Sequence, residues 1–158
     1  MKKGIYGILG IALGSITTLV INKKLITKSN IDERKKVDKF RGYYALLNQW
    51  LINKNNSKEI SEYFIKNQYK NIAIYGLGEL GNRLINELEN TEINISYGID
   101  KEDIFDSNAI KIYSIDNELP EVDVIVVTAT FAFNEIYNDL VSKVNCPIIS
   151  LDDIIFGL

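Results

Sequence analysis

The stretch NIAIYGLGELGNRLINEL, residues 71–88, constrains this chain more than any other. NIAIY is rich in β-branched and aromatic residues, the composition of a buried strand. Three glycines follow, Gly76, Gly78 and Gly81, spaced G-x-G-x-x-G. Leu80, Leu84, Ile85 and Leu88 then recur at helical spacing. Strand, glycine turn and helix thus come in the order that a phosphate cradle requires. Each glycine has its own expected task. Gly76 permits a tight turn, Gly78 lets backbone approach a pyrophosphate, and Gly81 lets the helix pack close to the strand. The helix start, with Leu77, Gly78, Glu79 and Leu80, offers unpaired N–H groups and the positive end of the helix dipole. The dipole favours the Glu79 carboxylate, which would repel a phosphate if it turned inward. Glu79 is therefore expected to point outward or to bond a ribose.

The rest of the C-terminal half reads as further strands and helices. INISYGID predicts a second strand ending at Asp100, the position from which an acid bonds ribose hydroxyls. An ordinary strand-end turn is the competing role for that residue. Lys101 follows and favours an additional phosphate or a sugar phosphate. AIKIYSI predicts a third strand reached by a loop. VDVIVVTAT predicts a central parallel fourth strand, and its end, Thr128, Ala129 and Thr130, falls on the carboxyl edge, where open α/β sheets bind ligands. FNEIYNDLVSKV predicts a helix with Ile136, Tyr137, Leu140, Val141 and Val144 inward. PIISL and DDIIFGL supply a fifth strand and a terminal turn of helix. The expected fold is α/β, a parallel sheet ordered 3-2-1-4-5 with the glycine turn at its switch point.

IAIYGLGELG, YGIDK and DVIVVT together resemble a family. From about Lys70 to the end, just over half the chain, the sequence is similar to small Rossmann-like nucleotide-binding domains of bacterial surface-polysaccharide gene clusters. It resembles in particular the N-terminal domain of sugar acetyltransferases of the sialic-acid and bacillosamine type. The resemblance implies that the chain binds NAD(P) or a nucleotide sugar, with Gly76, Gly78, Gly81 and Asp100 at the matching positions. It implies a glycosyltransferase-type partner as well. The 158 residues depart from both patterns, since they contain neither a hexapeptide-repeat stretch nor a recognisable dehydrogenase substrate domain.

Ahead of this region the chain has a different character. GIYGILGIALGSITTLVIN, residues 4–22, has no charged side chain and lysines on both flanks. As a helix it would be about 27 Å long, near the thickness of a bilayer core. A single-pass membrane anchor is expected. The excess of basic residues on its C-terminal side places the soluble domain in the cytoplasm. Gly10 and Gly14 form a G-x-x-x-G pair that fits a homodimer interface and equally the ordinary abundance of glycine in membrane helices. Residues 1–30 are therefore anchor and linker, residues 31–69 a helical segment, and residues 70–158 the nucleotide-binding domain. In the helical segment Val37, Phe40, Tyr44, Leu47 and Leu51 recur at three- and four-residue steps, and Tyr43, Leu46 and Trp50 widen the stripe. Burial of that stripe against the following domain is expected, with the membrane surface or another copy as the other ways to cover it. Asn56 or Ser57 would then cap a second helix, Glu59 closing a capping box, with Ile60, Tyr63 and Phe64 inward.

Catalytic groups are scarce. The 158 residues include no histidine, which removes the usual base near neutral pH, and a single cysteine, which excludes an internal disulfide and a cysteine metal cage. A net charge of −3 does not suggest nucleic-acid binding. Tyr97 and Lys101 share a Tyr-x-x-x-Lys spacing, but across a strand end and not on a helix face. Cys146 reads as a buried structural thiol, and Asp152 and Asp153 as capping residues after Ser150. Asp103, Asp106 and Asp116 are scattered in loops with no metal-ligand spacing. A membrane-tethered binding, sensing or accessory protein is thus expected. A minimal oxidoreductase or sugar-modifying enzyme completed by a partner, and a ligand-free membrane scaffold, are the alternatives.

Overall fold

A computed structural model describes residue 31, residues 33–100 and residues 110–158. The anchor over residues 4–22, Gly10, Gly14, Lys101, Asp103 and Asp106 lie outside the described residues. No helix among the described residues is long and apolar enough to cross a membrane. The chain divides into two compact units, one ending at Tyr43 and one running from Tyr44 to Leu158.

The second unit is an α/β structure around a five-stranded parallel sheet. Its strands are β1 (Asn71–Tyr75), β2 (Asn94–Ile99), β3 (Ile112–Tyr113), β4 (Val124–Val127) and β5 (Ile148–Ser150). Their order, β3-β2-β1-β4-β5, is the one the sequence predicts. Helix α3 (Glu79–Leu88) joins β1 to β2, and α4 (Phe133–Leu140) joins β4 to β5. Because β1 lies between β2 and β4, its carboxyl end is the switch point of the sheet.

Alternation along β1 sorts the core. Ala73 and Tyr75 face a cluster with Tyr97, Ile99, Ile125, Val127 and the α4 residues Ile136 and Leu140. Ile72 and Ile74, on the opposite face, are wholly buried. A bulge brings β2 into phase: Ile72 pairs with Ile95 but Ala73 with Tyr97, so Ser96 is the extra residue. Tyr97 and Ile99 thereby share a face with Ala73 and Tyr75. The Asp123 carboxylate accepts from the Lys70 and Asn71 amides at 2.8 and 2.7 Å, fastening the start of β1 to the strand beside it. These two backbone donors hold its carboxyl below the usual range.

Helix α1 covers residues 33–55. Only the widening edge of the expected stripe is buried. Leu46, Trp50 and Asn53 are buried, whereas Val37, Phe40, Tyr44, Leu47 and Leu51 are exposed, Tyr44 at 74% and Leu51 at 58%. Polar partners distant in sequence select the buried side. Trp50 Nε1 donates to Glu87 Oε2 at 2.9 Å, and Asn53 Nδ2 to the Ile155 carbonyl at 2.6 Å. Helix α2 (Ile60–Lys66) buries Ile60, Ser61 and Phe64, with Tyr63 at the margin. The expected caps do other work. Asn56 donates its amide to the Ile52 and Asn53 carbonyls, and Ser57 turns with φ 58°. Both residues close α1, and Glu59 flanks α2 with no side-chain cap. The third strand is only two residues long, α4 stops at Leu140, and Tyr137 and Val141 are exposed, contrary to expectation. The C-terminal segment forms a full helix, α5 (Leu151–Gly157), capped by Ser150 Oγ, which accepts from the Asp152 amide at 3.3 Å.

Candidate functional site

The residues singled out around the glycines do fold as strand, turn and helix. Gly76 adopts φ +90°, a conformation that L side chains rarely take, and its amide donates to Ile99 O at 2.9 Å. A Cβ on Gly81 would stand 2.2 Å from Gly76 O, so the helix could not approach the strand with any larger residue there. These two glycines are demanded by the protein itself.

Gly78 is different. Its φ of −70° and ψ of −160° suit any residue, and a Cβ placed on it would meet nothing within 4 Å. It is exposed and stands at the N-cap of α3, with no side-chain cap on that end. The amide end of the helix is therefore open on the side where Gly78 lacks a side chain. Glu79 leaves that space clear: its side chain is 90% exposed, and Oε2 lies 3.9 Å from Arg83 Nη2, a loose pair one turn along.

The other residues at the sheet edge serve the turn. Leu77 is buried, and its amide donates to Asp100 Oδ2 at 2.7 Å. Thr128 is buried too, and its Oγ1 lies 2.5 Å from Gly76 O and 3.2 Å from Tyr75 O. Ala129 packs beside Gly76, where an added Cβ would lie 3.5–3.6 Å from it. Leu80 belongs to the core and brings only its backbone to the edge. Thr130 starts the short 3-10 turn after β4, near Asp152 of α5. Burial, followed by the neighbouring Asp153 charge, raises the Asp152 carboxyl, with the Thr130 side chain acting against the shift. Gly76, Leu77, Gly81, Asp100, Thr128 and Ala129 are thus brought together, while Gly78 and Glu79 face outward and Thr130 stands apart.

Two supporting residues escaped the sequence reading. A Cβ on Gly98 would lie 2.7 Å from Leu77 Cδ1, so this glycine makes the recess that Leu77 fills. It stands two residues before Asp100, and β2 thus grips Leu77 by side chain and by amide. Asn82 Nδ2 donates to Leu77 O at 2.9 Å and completes the hold. The signal for Gly98 was its place on the opposite strand face from Tyr97 and Ile99, readable only once the register is known.

Charge differs on the two sides of the turn. Toward α4, burial and the negative charges of Asp100, Asp139 and Glu135 raise the Tyr75 phenol. Along α3, a cavity of about 550 Å³ opens beside Gly78, lined also by Glu79, Asn82, Arg83 and Asn86. A larger depression of about 730 Å³ lies away from the turn, between the loop after β3 and the loop before β5. Asp116, Glu118 and Glu121 line it, Lys143 bridges to Asp116 at 3.6 Å, and burial raises the Cys146 thiol there. An acidic wall with an inert thiol has little to offer a phosphate or a reaction. Among the described residues no group of three histidine, cysteine, aspartate or glutamate side chains is placed to hold a metal ion. No protein-family model, curated protein or solved structure matches this chain.

Proposed function

We propose that this chain binds a nucleotide diphosphate, either NAD(P) or a nucleotide sugar, at the amino end of α3. On this reading it is a membrane-tethered accessory or sensing protein of surface-polysaccharide biosynthesis, with a Rossmann-like binding domain beside a glycosyltransferase-type enzyme. The observation that carries the ligand claim is Gly78. Its backbone is unstrained and its missing Cβ would touch nothing, so the fold gives no reason for glycine there. Close approach of an external group to the backbone is such a reason. The uncapped helix end supplies N–H donors and a positive dipole for that group. The charge-free stretch over residues 4–22, between lysines, supports tethering.

Gly78, Glu79 and Leu80 would hold the diphosphate through their amides, with Arg83 as the nearby cation. The Asp100 carboxylate, where a ribose is expected, also accepts the Leu77 amide, so it orients the turn and the sugar together. A ligand-free scaffold is the second reading, favoured by the use of both Asp100 and Thr128 within the protein. Calorimetry on the full-length chain against NAD(H), NADP(H) and UDP-sugars separates the two. Binding of any of these at micromolar concentrations supports the first; a folded protein that binds none leaves the scaffold.

A further inference from the structure

Helix α1 turns an apolar face to water. Val37, Phe40, Tyr44, Leu47 and Leu51 recur at alternating steps of three and four residues, which sets them on one face of a helix. All five are exposed, Phe40 at 68% and Tyr44 at 74%. The fold buries the side with Leu46 and Trp50 instead. Apolar area of this extent left in water marks a surface with a partner. Charge follows its edges. By the helical period the exposed Arg34 and Arg41 flank the face on one side and the exposed Lys36 on the other. Glu33, in line with the stripe one turn before Val37, is answered by Lys36 at 3.9 Å. The whole sequence is divided in the same sense. Residues 1–41 hold ten of the 18 basic residues and three of the 21 acidic ones, so the remainder is net acidic. An anionic surface therefore attracts the first part of the chain and repels the rest.

We infer that this face of α1 lies on an anionic lipid surface, in the plane of the bilayer, with Phe40, Tyr44 and Leu47 at the boundary of headgroups and acyl chains and Arg34, Lys36 and Arg41 on lipid phosphates. An apolar face with basic margins is the arrangement of an interfacial helix. The face gains by leaving water, and the long basic side chains reach back to the phosphates from its edges. The inference rests on the tethering proposed above for proximity alone. Residues 23–32 separate the uncharged stretch from α1, and ten residues span at most about 35 Å even when fully extended. A second copy is the other partner that steps of three and four would suit. Charge decides against it. In a parallel pair Lys36 would stand opposite Arg41 of the second copy, like charges where coiled coils place opposite ones. Anionic lipid answers all three basic residues at once.

Cys146 is the only cysteine, so Cys146→Ser leaves a full-length chain ready for a single nitroxide label. The label is placed through Phe40→Cys or Tyr44→Cys on the face, or through Gly42→Cys on the opposite side of the helix, where a Cβ meets nothing within 4 Å. Each protein is reconstituted in vesicles of phosphatidylcholine mixed with phosphatidylglycerol and in phosphatidylcholine alone. In the mixed vesicles the labels at Phe40 and Tyr44 should be open to oxygen and shielded from a water-soluble nickel complex, and the label at Gly42 the reverse. Arg34→Gln together with Arg41→Gln should lower the ratio of surface-bound to free helix about twentyfold, since each basic residue near an anionic leaflet is worth about fivefold. Salt at about 1 M, with a Debye length of about 3 Å, should act in the same direction without any substitution. Labels at Phe40 and Tyr44 that stay open to the nickel complex in mixed vesicles overturn the inference. So does spin–spin broadening between copies at those sites, the mark of a paired helix, and so does contact equally strong on phosphatidylcholine alone. Flotation with phosphatidylcholine vesicles at high salt reads the tether separately, so failure of the tether and failure of this contact are told apart.

Discussion

Replacing Gly78 by aspartate separates a glycine kept for a ligand from one kept for the fold. The backbone at 78 lies at φ −70° and ψ −160°, and a Cβ there meets nothing within 4 Å, so the new side chain has room. It occupies the N-cap of α3, which no side chain now caps. Aspartate is preferred there over glycine by a few tenths of a kcal/mol. Loss of glycine's freedom in the unfolded chain adds about 0.4–1 kcal/mol. The helix dipole adds roughly 0.3–1 kcal/mol for a carboxylate, offset in part by Glu79 and Asp100 nearby. The sum is a gain of about 1 kcal/mol, or roughly 3–5 °C in Tm. The same carboxylate would stand against the bound anion. Two unit charges about 4 Å apart at an effective dielectric near 20 repel by about 4 kcal/mol, a loss of more than a hundredfold in affinity. Gly81→Ala is the contrasting case. Its Cβ would lie 2.2 Å from Gly76 O and 3.2 Å from Gly76 C, both backbone atoms, so helix and strand must separate at a cost of about 3 kcal/mol or more. Urea unfolding followed by Trp50 fluorescence gives the stabilities, and calorimetry with the best nucleotide ligand gives the affinities. The reasoning is refuted if Gly78→Asp loses more than about 1 kcal/mol of stability, or if it binds as the parent does.

Gly98→Ala should destabilise by about 1–3 kcal/mol, because its Cβ meets Leu77 Cδ1 at 2.7 Å. In Gly98→Ala with Leu77→Ala much of that cost should disappear, read as a coupling energy in a double-mutant cycle. Burial, helped by Cys146 and Tyr113, pushes the Tyr97 phenol from 10.0 up to about 12. The folded state holds that proton more tightly than the unfolded chain, so its stabilisation is complete below pH 10 and is lost as pH rises toward 12. Tyr97→Phe should therefore flatten the alkaline stability curve over that interval. At neutral pH it should cost about 1 kcal/mol for the 2.7 Å bond to Pro120 O.

Much of this architecture is legible locally. The glycine spacing sits between a strand composition and a helical period, and β-branched runs mark β4 and β5. A parallel strand followed by a helix must cross over in one sense, which with the switch point leaves few strand orders to consider. The third strand was overestimated because AIKIYSI has strand composition, while only Ile112 and Tyr113 pair with β2. Boundaries of that kind depend on how much of a neighbour is there to bond.

By itself the sequence determined that residues 71–88 form strand, turn and helix, and that Gly76 and Gly81 are required there. Those are consequences of φ/ψ sterics and of a helical period carried within one short segment. Only the tertiary structure decided which side of α1 is buried. Of the broad expected stripe the edge with Leu46 and Trp50 is the buried part, with Asn53 beside it, where Glu87 and the Ile155 carbonyl, distant in sequence, satisfy Trp50 and Asn53. It also decided that Asp100 and Thr128 brace the turn from either side, since a bulge at Ser96 and the order of three strands set which atoms meet at that edge. A hydrogen bond between residues dozens of positions apart leaves no period in the sequence, and that is why those contacts could not be read from it.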